Sequence, residues 1–92
     1  MTEKNAYIKS DAGVHARPAM MLVQEATKHA CDVILIKDGV EANCKSILSV
    51  LGLAITSGTT LIVRADGEGE EMAVDKLVSI INRDFKIDES EQ

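Results

Sequence analysis

Gly13-Val14-His15-Ala16-Arg17-Pro18-Ala19 is the stretch in which a loop gives way to a helix. Gly13 tolerates backbone conformations that residues with a Cβ atom disfavour, so it suits a tight loop. Pro18 suits a first helical turn, because the N–H group that proline lacks has no helical acceptor there. The sequence therefore predicts a loop that delivers His15 to the N-terminus of a helix.

His15 and Arg17 are residue types that suit phosphoryl chemistry. A neutral imidazole is a nucleophile near neutral pH, and the guanidinium of Arg17 presents paired donors that match a phosphate. The backbone N–H groups of Ala16 and Arg17 fall in a first turn, where they are available to an anion. The pattern predicts a histidine that receives and passes on a phosphoryl group, although a loop histidine without chemistry fits the local spacing equally well.

A second helix is predicted to begin at Ile47, with Ser46 as its N-cap. Apolar residues occupy almost every side of this helix, and only part of that surface can face the core of so small a domain. We interpret Ile47, Leu48 and Leu51, with Lys45 beside them, as an exposed patch for partner docking. A more deeply buried helix is the alternative.

The first half of the chain is predicted to contain a strand, a helix and a hairpin of two strands. Polar–apolar alternation predicts a strand over 5–10, followed by a helix over 16–30 with His29 in its last turn. We interpret His29 as a surface residue and not as a second active histidine. Strands over Asp32–Lys37 and Val40–Asn43 are predicted to flank a two-residue Asp-Gly hairpin turn.

The second half of the chain adds one strand and one helix. Ser57-Gly58 is predicted to end the second helix, and residues 59–65 form the last strand. An acidic tail at about 87–92 is expected to fray. The last helix has acidic residues at its start and a predicted core stripe of Val74, Leu77, Val78, Ile81 and Phe85.

The composition limits the classes of function. At 92 residues the chain is interpreted as a single domain over 1–92. A net charge of −5 and only two aromatic residues argue against nucleic-acid binding. No apolar run spans a membrane and no signal segment is visible, which favours the cytoplasm. Cys31 and Cys44 are too few for a disulfide framework or a metal site, and we interpret them as reduced thiols, with a single disulfide as the alternative.

The charges predict a docking face. Arg17 and Lys45 are expected to flank His15, whereas acidic residues cluster at 66–71 and 84–91. A negatively charged chain then presents a locally positive, partly apolar face to acidic partners.

The stretch at 13–19 resembles the active-site signature Gly-x-His-Ala-Arg-Pro-Ala of the histidine-containing phosphocarrier protein, HPr, of the bacterial phosphotransferase system. Asn43-Cys44-Lys45-Ser46-Ile47-Leu48 is similar to the family's regulatory serine motif. The resemblance implies an α+β, HPr-like open-faced sandwich in the order β-α-β-β-α-β-α. In that fold three helices cover one face of a four-stranded antiparallel sheet.

The resemblance also implies a function. A phosphoryl group from phosphoenolpyruvate passes from a histidine of enzyme I to Nδ1 of His15, and then to a histidine of a sugar-transport or regulatory acceptor component. Ala16 and Arg17 hold the phosphate, and Ser46 is open to a serine kinase/phosphorylase. Such a chain needs no cofactor or metal of its own. It is a monomeric phosphoryl carrier and not a stand-alone catalyst.

Two other functions stay open at this point. A regulatory binding module would be controlled by phosphorylation of Ser46 and would leave His15 idle, although the intact pair with Arg17 argues against it. A phosphatase-type enzyme ranks last, because no clear general acid accompanies His15. Ser46 also fits a helix cap without a regulatory role. Cys44 and Ser49 stand where the family often has Ala and Gly, which leaves the partners and the choice between sugar-uptake and nitrogen-related branches open.

Overall fold

The computed structural model describes residues 1–11 and 13–86. The element order β-α-β-β-α-β-α confirms the prediction, whereas the tail at 87–92 lies outside the described residues. The elements are β1 (Thr2–Tyr7), α1 (Ala16–Thr27), β2 (Asp32–Lys37), β3 (Val40–Asn43), α2 (Ile47–Gly52), β4 (Thr60–Asp66) and α3 (Glu70–Asn82).

The four strands form one antiparallel sheet in the order β1-β4-β2-β3. β4 pairs with β1 on one side, from Thr2↔Ala65 to Tyr7↔Thr60, and with β2 on the other. The last strand of the chain is therefore central, and β1 and β3 are the edges. This arrangement confirms the fold class that the resemblance implied. Periodicity alone does not predict the strand order, because the apolar pattern of a strand does not identify the strands that lie beside it.

Alternate residues of each strand face the helices and build one aliphatic core. On β4 these residues are Leu61, Val63 and Ala65, and on β2 they are Val33 and Leu35. Apolar residues of all three helices join the same core, because each helix buries one stripe against the sheet. The remaining members of the core include Ala19, Leu22 and Ala26 of α1, Val50 of α2, and Ala73, Val74, Leu77, Ile80 and Ile81 of α3.

The hairpin between β2 and β3 confirms the predicted two-residue turn. Asp38 has φ 51° and Gly39 has φ 79°. Two successive positive φ values define a type I′ turn, whose twist matches that of the flanking strands. The bounds Asp32–Lys37 and Val40–Asn43 agree with the prediction.

The predicted ends of the first two helices were both too late. α1 ends at Thr27, so His29 lies beyond the helix instead of in its last turn. α2 ends at Gly52. Leu53 and Ile55, which follow the helix, keep their apolar side chains buried from outside it. The Nζ of Lys37 donates to the carbonyl oxygens of Leu53 and Ala54 at 3.0 and 2.8 Å. These contacts satisfy carbonyls that a longer helix would have bonded internally.

Pairing with β4 sets the ends of β1. The strand occupies Thr2–Tyr7 instead of 5–10, since its register with β4 ends at Tyr7↔Thr60. Val74, Leu77 and Ile81 are buried on α3, as predicted. Phe85 is buried too, but it lies beyond the end of the helix.

The two cysteines are both buried and free, as predicted for reduced thiols. The Sγ of Cys44 lies 3.8 Å from the carbonyl oxygen of Leu22. Burial raises the pKa of Cys44 to about 12, because a thiolate would lose its hydration there. This thiol is therefore a packing group. None of the helices that the structure describes is long and apolar enough to cross a bilayer.

Candidate phosphorylation site at the start of α1

The loop before α1 is pinned to the segment that follows α2. Gly13 has φ +67°, and a Cβ atom at this position would lie 2.5 Å from the carbonyl oxygen of Ile55. The N–H of Val14 donates to that same oxygen at 2.9 Å. A side chain at position 13 would therefore displace the loop, which explains the glycine two residues before His15.

His15 occupies the N-cap of α1, as the sequence predicts. Its backbone is extended, with φ −102° and ψ −163°, and its carbonyl oxygen accepts from the N–H of Ala19 at 2.9 Å. The side chain makes no capping hydrogen bond and is exposed. The backbone of His15 is thus held in place, while its imidazole ring stays available to a partner.

His15 and Arg17 lie on one cavity of about 390 Å³. Ala16 and Arg17 supply the first N–H groups of α1, and no acidic residue occupies that first turn. The helix N-terminus therefore presents backbone donors and partial positive charge without a competing carboxylate of its own. This geometry can hold an anion beside the ring of His15.

Sequence reasoning missed most of the other residues on this cavity. Asp84 and Phe85 have positive φ values of 57° and 58°, which turn the chain after α3 towards α1. Aspartate tolerates a positive φ, but phenylalanine does not signal one, so the sequence carries no cue for two such residues in a row. The cavity is also lined by Ser10, Pro18, Met21 and Lys86.

Ser46 is the N-cap of α2, as predicted. Its Oγ accepts from the N–H of Ser49 at 3.3 Å, and its backbone is extended. The side chain of Asn43 accepts from the N–H of Lys45 at 2.9 Å and supports the turn into the helix. Ser46 is partly exposed, so its hydroxyl has a structural partner and remains reachable.

The predicted apolar patch on α2 is exposed. Leu48 is 79% exposed and Leu51 is 37% exposed. Ile47 is only partly buried and packs against the core. The buried-helix alternative is wrong for these side chains, because only Val50 within α2 is fully buried. Met20 of α1 is a further exposed apolar side chain, at 43%.

The expectation that Lys45 flanks His15 is wrong. Its Nζ donates to the carbonyl oxygen of His29 at 2.8 Å, beyond the C-terminal end of α1. A helix of this length separates its two ends by about 18 Å, so Lys45 lies far from the cavity that holds His15. Ser46, the next residue, shares that position. α2 therefore runs from Ser46 towards the loop that carries His15. Ile55, which follows α2 in the chain, contacts that loop.

His29 is also less exposed than predicted. Its side chain is 12% exposed, and Nε2 lies 2.8 Å from Oε2 of Glu25. Burial alone would raise the pKa of Glu25, but the hydrogen bond with His29 and the charge of Lys28 outweigh it and lower that pKa. His29 is thus held in a polar contact at the end of α1, remote from His15.

Residues 1–11 and 13–86 contain no group of three or more His, Cys, Asp or Glu side chains arranged to hold a metal ion. The donors near His15 are backbone N–H groups and basic side chains, which bind anions.

Comparison with known proteins agrees with this geometry. Residues 2–83 match the family model PTS-HPr, described as the PTS HPr component phosphorylation site. The chain is 37% identical to the HPr-like protein Crh of Halalkalibacterium halodurans over 84 residues, which cover 91% of this chain and 100% of the relative. It is 38% identical to the phosphocarrier protein HPr of Haemophilus influenzae over 81 residues, which cover 88% and 95%.

Solved structures give the same result. The crystal structure of HPr-C-His from Thermoanaerobacter tengcongensis superposes with a TM-score of 0.90 at 35% identity, covering 96% of this chain and 99% of that one. An HPr dimer from the same organism superposes with a TM-score of 0.75 at 36% identity, covering 95% and 100%. Sequence and structure both match over nearly the full length, and the chain belongs to the HPr family of the phosphotransferase system.

Proposed function

We propose that this chain is a phosphocarrier that accepts a phosphoryl group on His15 from phosphorylated enzyme I and passes it to a histidine of an acceptor component. The observation that carries the proposal is the exposed ring of His15 at the N-terminus of α1, on one cavity with Arg17. Phosphoenolpyruvate is the source of the phosphoryl group, and a sugar-transport or regulatory component is the acceptor.

The transfer is an exchange of one P–N bond for another. A neutral ring nitrogen of His15, Nδ1 by the family pattern, attacks the phosphorus atom on the donor histidine. The P–N bond to the donor breaks, and that imidazole leaves with the electron pair. The same events then run between His15 and the acceptor histidine. Each step is a phosphoryl transfer between similar nitrogen atoms, so the carrier needs positioning and charge stabilisation more than acid–base chemistry.

Three groups at the site would stabilise the phosphate. The N–H groups of Ala16 and Arg17 and the guanidinium of Arg17 face the negative charge that arrives with the phosphoryl group. Asp84 lines the same cavity and opposes that charge. The balance holds the phosphate lightly, which suits a carrier, because a tightly bound group would not leave.

The apolar patch on α2 would dock the partners. Leu48 and Leu51 are exposed, and α2 ends beside the loop that carries His15. Buried apolar area at this patch would position a partner histidine, while Arg17 contributes a positive charge towards an acidic partner. We also propose that the chain acts as a monomer in the cytoplasm; the dimer of a related HPr makes sedimentation analysis the check on that state.

Ser46 is proposed as a regulatory phosphorylation site for a serine kinase, with a phosphorylase to reverse it. A phosphate at a helix N-terminus is tolerated by the fold. Its charge would fall beside the apolar patch, at the end of α2 remote from His15. Regulation would therefore act on docking and not on the ring of His15.

A regulatory binding module without carrier activity is the second candidate. The HPr-like protein Crh supports this candidate. It matches this chain as well as the phosphocarriers do, so membership of the family does not by itself select the carrier. In that function Ser46 controls docking and His15 stays unmodified.

Incubation with enzyme I, Mg²⁺ and phosphoenolpyruvate separates the two candidates. The carrier gains the mass of one acid-labile phosphate, and His15→Ala loses this gain while His29→Ala, the matched control, keeps it. An unmodified chain beside an enzyme I that phosphorylates another carrier would support the binding module and reject the carrier.

A further inference from the structure

The face of the sheet turned away from the helices is a second surface of this molecule. Its residues are the alternate strand positions that the core does not use, and the strand register places them side by side. We call this surface the open sheet face. It comprises Glu3, Asn5 and Tyr7 of β1, Thr60, Ile62, Arg64 and Asp66 of β4, Asp32, Ile34 and Ile36 of β2, and Glu41 and Asn43 of β3.

The middle of the open sheet face is apolar apart from Arg64, which lies on β4 opposite Ile34. Ile36 and Ile62 are direct partners across β2 and β4, and Ile34 follows on the same face. Ile34 and Ile62 are partly exposed, and Tyr7 is 53% exposed. Apolar side chains on an exposed sheet face can be covered by a partner.

The rim of the open sheet face is acidic. Glu3, Asp32, Glu41 and Asp66 are four carboxylates against the single guanidinium of Arg64, a net charge of −3. Arg64 is already engaged, because its Nε lies 2.7 Å from Glu3 and its Nη1 lies 3.4 Å from Glu41.

One pair on this rim is unfavourable in the free chain. Asp32 and Asp66 are direct partners across β2 and β4, and like charges placed opposite each other destabilise a sheet. The Met1 amino group lies 3.8 Å from Asp66 but binds Glu70 more closely, at 2.7 Å. A cationic partner would relieve this repulsion.

A cavity of about 370 Å³ lies on this face beside the β3 edge. It is lined by Asp32, Ile34, Glu41 and Asn43, together with Val33 and Ala42. Two carboxylates and an amide thus surround an isoleucine, a combination that fits a side chain with an apolar stem and a cationic end.

We propose that the open sheet face docks a basic segment of a partner protein, in which lysine or arginine alternates with apolar residues. The apolar side chains would cover Ile34 and Ile62, and the cations would meet Asp32, Glu41 and Asp66. Charge selects this occupant: a second copy would bring another face of charge −3, and a nucleic acid would bring phosphates. The surface lies across the sheet from the helices, so its occupation leaves the His15 site open.

Titration of the full-length, ¹⁵N-labelled chain with a peptide that alternates arginine and leucine tests the proposal. We expect saturable shifts at the amides of Ile34, Glu41, Ile62 and Arg64, and a weakening of binding when salt rises from about 50 to about 300 mM. A peptide that alternates glutamate and leucine is expected to cause no shift there.

The double variant Asp32→Asn/Asp66→Asn is expected to weaken binding about 10-fold. It keeps the fold, because it removes a repulsion. The matched control is Glu71→Gln/Asp75→Asn, which makes the same change of charge on α3 and is expected to bind like the unmodified chain.

Four results would overturn the proposal. They are the absence of saturable shifts, shifts confined to residues 15–17 and 48–51, equal losses in both double variants, and equal binding of the acidic peptide.

Discussion

Gly13 is the residue whose side chain would most directly displace the loop that carries His15. Gly13→Ala places a Cβ atom 2.5 Å from the carbonyl oxygen of Ile55, at φ +67°. We expect the free energy of unfolding to fall by about 2–4 kcal/mol, the sum of backbone strain and overpacking. Urea denaturation measures this loss. Gly39→Ala is the matched control, because Gly39 has φ +79° and no atom within 4 Å of its added Cβ.

The control isolates the cost of the backbone conformation. Gly39→Ala should lose only about 1 kcal/mol, since the left-handed conformation is its sole penalty. Equal losses in the two variants would show that the contact with Ile55 does not constrain the loop.

Ala54 is a residue at which the chain carries avoidable strain. It has φ 50° after the end of α2, a position that helices commonly fill with glycine. Ala54→Gly should therefore raise the free energy of unfolding by about 1 kcal/mol. Gln24→Gly within α1 should lower it by a similar amount, because glycine weakens a helix interior. A destabilised Ala54→Gly would contradict the strain.

At this scale the sequence predicts residues that are close along the chain. His15 and Arg17 share one helical turn, so their spacing alone places them at one site. Asp84 and Phe85 reach the same cavity from the other end of the chain, through two successive positive φ values, of which only that of Asp84 suits its residue type. Lys45 was placed wrongly, because its position depends on how α2 packs against α1.

At the scale of elements, Ser46 connects the stability of α2 to docking. Ser46→Ala removes the acceptor of the Ser49 N–H and should cost about 1 kcal/mol of stability. Ser46→Asp keeps an acceptor at the cap and should retain that stability. Its charge beside the apolar patch should nevertheless slow phosphorylation by enzyme I about 10-fold.

Thermal unfolding and the rate of phosphate incorporation measure these two effects separately. Ser46→Ala should be less stable but phosphorylated at an unchanged rate. If Ser46→Asp were phosphorylated as fast as the unmodified chain, Ser46 would be a cap and not a control point for docking.

Element boundaries were predictable where a local signal ends the element. The Asp-Gly turn defines both strands of the hairpin, and their bounds match the structure. The predicted α2 was too long, because apolar residues continue past the end of the helix to Ile55. Ile55 lies in a loop, but its side chain is buried. Lys37 of β2 donates to the carbonyl oxygens of Leu53 and Ala54, which follow α2. A pattern along the chain does not predict this contact.

At the scale of the whole molecule, Glu70 joins the start of the chain to the last helix. Its carboxylate accepts from the Met1 amino group, from the hydroxyl of Thr2 at 2.6 Å and from the N–H of Gly67 at 3.2 Å. These hydrogen bonds lower the pKa of Glu70 to about 2. β1 and α3 are therefore linked through an ionised group.

This link predicts a loss of stability in acid. A lowered pKa in the folded state contributes stability above the ordinary value of 4.5, and that contribution fades as the pH falls towards 2. Glu70→Gln should flatten this part of the stability profile, measured by urea denaturation between about pH 2 and pH 6. Glu71→Gln is the control and should keep the slope. An unchanged slope in Glu70→Gln would show that the link contributes nothing.

The order of the strands was not predicted, because the resemblance implied only a four-stranded antiparallel sheet with the helices on one face. The sequence pattern identifies four strands, but it does not reveal that β4 lies between β1 and β2. The resemblance could imply the sheet because two motifs, at 13–19 and 43–48, occur at the family's spacing in one short chain. The relation between Ser46 and His15, at opposite ends of α2, emerges only from the packed molecule.

Return of the phosphate to enzyme I tests whether His15 carries a phosphoryl group, because a carrier must release what it accepts. The phosphorylated chain would be isolated and mixed with unphosphorylated enzyme I, Mg²⁺ and pyruvate, and its intact mass followed with time. We predict that the mass of one phosphate disappears as phosphoenolpyruvate forms, and that His15→Ala never enters the cycle. A phosphate that stays on the chain, or one that His15→Ala also carries, would show that His15 is not a phosphoryl carrier.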